Sequence, residues 1–249
     1  MEFGLLFDGL KKAFQSYIHN IVAYLVGIIL FLIISAVVYF IGFGGDILAV
    51  YEALINMKFG TSFVIMILTV LIGYFISAPL MYGMYYMAIK GTRSKDVKIG
   101  DLFYGFKSGK AFVRSLIYVL VYAVVIAVVS LIVGVLVGLI AGAVSLASAS
   151  AAAAIAGVLT FILMLLVEIF FFFTIYVYVM TPGEGFFYAL KESFRIGKSN
   201  IIMTLLTIII VWIISIFVIT IPLGYLYGAY MLKELDPSIK DESGMEDVV

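Results

Sequence analysis

The chain has 249 residues, of which 65% are hydrophobic and 12% are charged. Soluble domains are about 45–50% apolar and about 25% charged, so this composition excludes an ordinary soluble protein. The 15 basic residues balance the 15 acidic residues, so the chain has no basic excess of the kind that binds nucleic acid. It has no cysteine and one histidine, which excludes disulfides and thiolate chemistry and argues against a His-rich metal site. We therefore predict an integral α-helical membrane protein without a cofactor.

Long apolar runs predict the membrane-spanning helices. A helix needs about 20 apolar residues to cross a hydrocarbon core about 30 Å thick. The predicted spans are residues 21–43, 60–89, 115–144, 151–180 and 201–232. We expect an all-α polytopic fold with five transmembrane helices, and six as the alternative.

The last run has two interpretations, because its 32 residues would form a helix about 48 Å long. It is either one long helix kinked at Pro222, or two short helices that enter the membrane and return. We favour one long helix, and we predict that residues 233–249 form an acidic, disordered tail. Pro79 is the corresponding helix break in the second run.

Three similar segments precede the first, third and fifth spans, which indicates an internal repeat. They are residues 2–18, 99–114 and 182–198, and each places apolar residues at helical spacing opposite basic residues. We predict amphipathic helices in the membrane interface, with the aromatic side toward the lipid. The candidate contacts for anionic lipid are Lys107, Lys110, Arg114, Lys191, Arg195 and Lys198.

Basic residues also predict the orientation of the chain. Most of the 15 lie before the first span and in the two long loops that follow the second and fourth spans. Since basic loops stay on the cytoplasmic side, we expect a cytoplasmic N-terminus in a multi-pass protein of the cytoplasmic membrane.

Glu168 is an ionisable residue near the middle of the fourth predicted span. Such residues are functional candidates by default, which makes Glu168 a possible proton- or cation-binding group in a transporter or channel. The structural interpretation is a neutral carboxylic acid bonded to a Tyr or Ser on a neighbouring helix. We favour the structural interpretation, because one acid without a second titratable partner makes a poor proton relay and no Lys or Arg lies within a span.

Gly134, Gly138 and Gly142 stand four residues apart in the third span. This spacing lets helix backbones approach closely. We favour close packing inside one chain, with a homo-oligomer interface as the alternative.

Several short motifs resemble those of one group of prokaryotic membrane proteins. The group includes the membrane domain of glycerophosphoryl diester phosphodiesterases and uncharacterised stand-alone relatives. The matching residues are Pro79-Leu80, Gly83, Arg93, Asp101-Leu102-Phe103-Tyr104-Gly105-Phe106, Ala189-Leu190-Lys191-Glu192-Ser193-Phe194, Lys198, Asn200, Ile221-Pro222-Leu223 and Tyr230. The resemblance implies a prokaryotic membrane protein, usually with six spans, and no established activity.

The sequence shows no nucleophile paired with a base, no phosphate-binding loop and no carboxylates at metal-binding spacing. We therefore predict that the protein is not an enzyme. The leading hypothesis is a membrane module that interacts with lipid or scaffolds a partner. The alternative is a small transporter or channel that uses Glu168, with Pro79 and Pro222 as helix breaks.

Overall fold

The computed structural model describes residues 4–43, 61–93, 96–145 and 148–239, and these residues form helices and no strand. The helices are α1 (Gly4–His19), α2 (Ile21–Phe43), α3 (Thr61–Gly91), α4 (Tyr104–Lys107), α5 (Gly109–Ser145), α6 (Ala149–Phe171), α7 (Thr174–Met180), α8 (Phe186–Ser199), α9 (Ile201–Ile214) and α10 (Ile221–Leu235). Short 3₁₀ helices at Ile99–Phe103 and Val218–Thr220 precede α4 and α10.

The described residues contain four helical stretches that are long and apolar enough to cross a membrane. They lie in α2, in α3, in α5, and in α6 together with α7. A fifth is added if α8 and α9, which are bent by 105° at their junction, count as one span. The helices pair as two hairpins, α2 with α3 and α5 with α6. The prediction of an all-α polytopic membrane protein is confirmed.

The last apolar run forms a hairpin of two short helices, so the prediction of one long kinked helix is wrong. With 14 and 15 residues, α9 and α10 are each about 21–22 Å long, too short to cross about 30 Å of hydrocarbon. The two helices pack against each other: a Cβ added at Gly224 would lie 2.6 Å from Oγ of Ser215. Pro222 lies in the first turn of α10, where its missing N–H costs no hydrogen bond. It therefore starts a helix, whereas Pro79 lies inside α3, which continues through it.

The buried core lies at one end of the bundle. It is built from the C-terminal part of α3, from α7 and from α10, which contact one another. All seven residues of α7 are buried. Each of the three helices contributes one tyrosine to a central cluster, in which the ring of Tyr85 lies 5.0 Å from that of Tyr176 and 4.6 Å from that of Tyr225.

Three segments pack around this core, and we name them together the juxtamembrane layer: α1, residues 99–107, and α8. The segment α1 packs on α10, residues 99–107 pack on α3, and α8 packs on α6 and α7. The contacts are close because small residues face the core; a Cβ at Gly105 would lie 2.5 Å from the carbonyl oxygen of Pro79. The layer matches the first and third predicted interfacial helices closely.

The second predicted interfacial helix, residues 99–114, is not one helix. The 3₁₀ helix Ile99–Phe103 is followed by α4, which ends at Lys107. Residues 109–114 already belong to α5. The division falls at Ser108, which has an extended backbone and accepts a hydrogen bond from the N–H of Ala111 through Oγ. Ser108 thus caps the N-terminus of α5 and separates the two helices.

The disordered tail was predicted to begin at residue 233, but the ordered chain continues beyond that residue. Helix α10 continues to Leu235, and Asp236 is buried against Arg195 of α8. Residues 240–249 lie outside the described part of the chain. Ordering of residues 233–239 follows from this ion pair and from the buried side chain of Ile239.

Candidate functional site

The juxtamembrane layer turns large apolar side chains away from the protein. The side chains of Phe7 and Phe187 are 70% and 71% exposed. Gly9 and Ala189, which lie two residues further along the same helices, are buried. Further exposed apolar residues of the layer and of the first turns of α5 include Phe14, Ile18, Ile99, Phe103, Phe106, Val113 and Phe194. Large exposed apolar side chains in such number are typical of surfaces that contact a membrane or another protein.

The predicted basic contacts differ in their surroundings. Lys107, Lys110, Lys191 and Lys198 are exposed on or beside the juxtamembrane layer. Arg195 instead binds Glu192 and Asp236, and the hydrogen bond that it donates to Glu192 raises the pKa of Arg195 above its ordinary value.

Arg114 is placed for a structural role. Its Nη1 atom donates to the carbonyl oxygens of Pro182 and Glu184, each at 2.7 Å. Its Nη2 atom donates to those of Tyr178 at 2.7 Å and Thr181 at 3.2 Å. All four terminal N–H groups are therefore used inside the protein, which favours a structural role for Arg114, and its contact with lipid stays a prediction. The guanidinium joins α5 to the turn between α7 and α8.

A polar cavity of about 670 Å³ opens between α1, α10 and the end of α3. Its charged lining includes Lys12, which forms an ion pair with Glu234 at 2.6 Å, and Lys233. Burial, together with the positive charge of Arg93, lowers the pKa of Lys233 to about 8. This cavity is not among the sites that the sequence predicts. A sequence signal for it is the repeated spacing of Pro79 to Lys90 and of Pro222 to Lys233, eleven residues in each case.

Glu168 accepts a hydrogen bond from a tryptophan, which was not among its predicted partners. The indole Nε1–H of Trp212, on α9, donates to Oε1 of Glu168 at 3.1 Å. This cross-helix bond fits the structural interpretation with Trp as the donor in place of Tyr or Ser, and both interpretations of Glu168 stay predictions.

Glu168 lies inside the apolar stretch Ala149–Met180, next to the part of α6 that contacts α8. The two residues that follow it touch α8, since a Cβ at Gly197 would meet the carbonyl of Ile169, and Ser193 donates to that of Phe170 at 2.9 Å. Its predicted place within a membrane span stays a prediction.

A second cavity, of about 390 Å³, lies between α3, α5, α6 and α7, and Glu168 lines it. Four tyrosines line it as well: Tyr85, Tyr118, Tyr122 and Tyr176. The remaining lining residues are Met81, Val119, Ala123, Phe171, Phe172 and Ile175. Among these described residues, Glu168 is the only charged one. We name this space the tyrosine cavity.

Gly134, Gly138 and Gly142 do not contact the described part of the chain. They are exposed, and a Cβ added at any of them would meet no described atom within 4 Å. The buried residues of this part of α5 are instead Val133 and Val137. The expected packing of these glycines has no partner among the described residues, and the homo-oligomer interface stays a prediction.

The described residues contain no group of three or more Asp, Glu or His side chains that could hold a metal ion. In comparisons with known proteins, no family model, no curated protein and no solved structure matches the chain. Assignment of a function rests on the chemistry of the juxtamembrane layer and of the two cavities.

Proposed function

We propose that the protein is a non-enzymatic, multi-pass protein of a prokaryotic cytoplasmic membrane that interacts with lipid through its juxtamembrane layer. The supporting observation is the outward direction of the large apolar side chains of the layer, such as Phe7, Phe106 and Phe187. A helix that turns small residues to the protein core and aromatic residues outward buries them in the lipid interface.

The lysines of the layer supply the charge for anionic lipids. Lys191 and Lys198 lie on α8, and their side chains are exposed beside Phe187 and Phe194. Each basic residue near an anionic membrane surface contributes about 1 kcal/mol. The same basic bias supports a cytoplasmic position for the layer and the N-terminus.

The test compares anionic and zwitterionic lipids. Purified protein in non-ionic detergent is titrated with phosphatidylglycerol or phosphatidylcholine, and binding is followed by the increase in Tm. The double substitution Lys191→Gln with Lys198→Gln should weaken phosphatidylglycerol binding about 30-fold, since it removes about 2 kcal/mol. The matched control is Lys191→Arg with Lys198→Arg, which keeps both charges. Equal binding of both lipids, or no effect of the glutamine variant, contradicts the proposal. In that case the apolar layer is better explained as a surface that scaffolds a protein partner.

A second candidate function is a small cation- or proton-coupled transporter or channel. It is favoured by one observation, that Glu168 lines the tyrosine cavity between four helices. Proton and cation flux into proteoliposomes, measured for the wild type and Glu168→Gln, tests this function. Flux that disappears in the variant supports it, and absence of flux from the folded wild type contradicts it.

A further inference from the structure

We propose that the tyrosine cavity binds the ammonium group of an organic cation, with Glu168 as its counter-ion. The cavity lies outside the juxtamembrane lysines, so the inference does not depend on the binding of anionic lipid. It deepens the second candidate function, because it names a chemical class of ligand for Glu168.

The size and lining of the cavity suit a small amphiphilic ligand. Its volume of about 390 Å³ falls within the range of about 300–1,000 Å³ that is usual for ligand sites. Such sites combine apolar walls with a few polar groups that orient the ligand. Here the walls are aromatic and aliphatic, and one carboxylate lies among them.

The tyrosine rings present the surface that a cation prefers. Tyr118 stacks on Tyr122 at 5.4 Å, and the rings of Tyr85 and Tyr176 meet edge to face at 5.0 Å. The negative faces of aromatic rings attract ammonium groups, and aromatic cages recognise quaternary ammonium ligands. Because the rings pack against one another, their side chains should lose little conformational entropy when a ligand binds.

The charge of the cavity selects a cation over a neutral or anionic ligand. Glu168 supplies a carboxylate, and the described lining contains no Lys, Arg or His. The indole N–H of Trp212, on α9, donates a hydrogen bond to Oε1 of Glu168. We therefore expect Oε2 to be the oxygen that faces the ligand.

Two sources of ammonium groups are available at a membrane. Glu168 and the tyrosine cavity lie next to the part of α6 that contacts α8, so we expect a ligand to enter from the side of the juxtamembrane layer. A lipid headgroup and a free amphiphilic amine can both reach the cavity from that side. Both present the same chemistry to the tyrosines and to Glu168.

The experiment uses the natural fluorescence of the protein. Trp212 is the single tryptophan of the chain and binds Glu168 directly, so occupation of the cavity should shift its emission. Full-length protein in non-ionic detergent is titrated with benzyltrimethylammonium and, separately, with neopentylbenzene, its uncharged analogue of the same shape. A second pair of probes is lysophosphatidylcholine and lysophosphatidylglycerol with the same acyl chain.

We expect the cation to bind at least ten-fold more tightly than its neutral analogue. Glu168→Gln keeps a carbonyl oxygen for Trp212 but removes the charge, so it should abolish this preference. Tyr122→Leu should weaken cation binding, whereas Tyr122→Phe, which keeps the ring, should not. Glu184→Gln, an exposed acid on the turn before α8, is the matched control and should bind as the wild type does.

Each outcome decides the proposal. Binding of both cation and choline lipid assigns the site to a headgroup, and binding of the cation alone assigns it to a free amine. Equal binding of cation and neutral analogue by wild type and Glu168→Gln overturns the proposal in favour of an acyl-chain cavity. A wild-type spectrum unchanged by every probe also overturns it. Because the assay measures binding and not flux, its failure is distinguishable from failure of the transport function.

Discussion

Arg114→Lys tests the structural role of the guanidinium, because it keeps the positive charge but loses the planar fork. Arg114 donates to four carbonyl groups of residues 178–184, and its guanidinium carbon lies 4.1 Å from the ring centre of Tyr178. Lysine has one ammonium group on a flexible stem and cannot reach all four carbonyls. A lipid phosphate, in contrast, would accept either side chain.

The expected cost follows from the lost hydrogen bonds. Three of the four bonds are lost if Lys retains one, and a net contribution of about 1 kcal/mol each gives about 3 kcal/mol. For a chain of this length 1 kcal/mol corresponds to about 2–4 °C in Tm, so Arg114→Lys should lower Tm by about 6–12 °C.

The assay is a thermal scan of Trp212 fluorescence in detergent, with size-exclusion chromatography of the same samples. Lys191→Ala, which removes an exposed base from α8, is the control and should leave Tm unchanged. A Tm loss of less than about 2 °C for Arg114→Lys, below 1 kcal/mol by the same conversion, would refute the assignment. A loss of anionic-lipid binding without a loss of stability would return Arg114 to the lipid contacts.

Three further predictions concern packing, pH and assembly. Gly105→Ala should lower Tm sharply, because its Cβ would lie 2.5 Å from the carbonyl oxygen of Pro79. Burial raises the pKa of Asp236, but hydrogen bonds from Ser238 and Arg195 outweigh it and hold that pKa below its ordinary value. Asp236 therefore stabilises the folded chain at a pH above its pKa in the unfolded chain, which is about 4. This stabilisation is lost as the pH falls through the lower pKa of Asp236 in the folded chain. Asp236→Asn should flatten the acid limb of a profile of Tm against pH. Gly138→Ile should convert an oligomer into monomers, as measured by light scattering, without unfolding the chain.

Matched variants separate these effects from general damage. Gly100→Ala adds a methyl group where no described atom lies within 4 Å, so a Tm loss equal to that of Gly105→Ala would contradict the packing argument. Glu184→Gln removes an exposed acid and should leave the acid limb steep. Gly157→Ile, at an open position on α6, should leave the oligomer intact, and a monomeric wild type would contradict the role of Gly138.

The sequence by itself determined the membrane class and the positions of the long apolar helices. Hydrophobic length is a local property, since the bilayer sets it without reference to the rest of the fold. Helix α2 has the predicted bounds, Ile21–Phe43, and α5 ends at Ser145 and α6 begins at Ala149, close to the predicted boundary between the spans 115–144 and 151–180. The helical face of α1 could also be read locally, because Phe7 and Phe14 share one side of the helix.

Only the tertiary structure decided what each polar or small residue does. Arg114 looked like a lipid contact because no local pattern shows the four carbonyls that residues 178–184 bring to it. Gly138 looked like an internal contact, yet the buried residues of this part of α5 are Val133 and Val137. The division of the last run into α9 and α10 depends on how their side chains pack against α1, α8 and each other. These outcomes share one physical reason: they depend on groups distant in sequence, whose approach is fixed by packing and not by hydrophobic length.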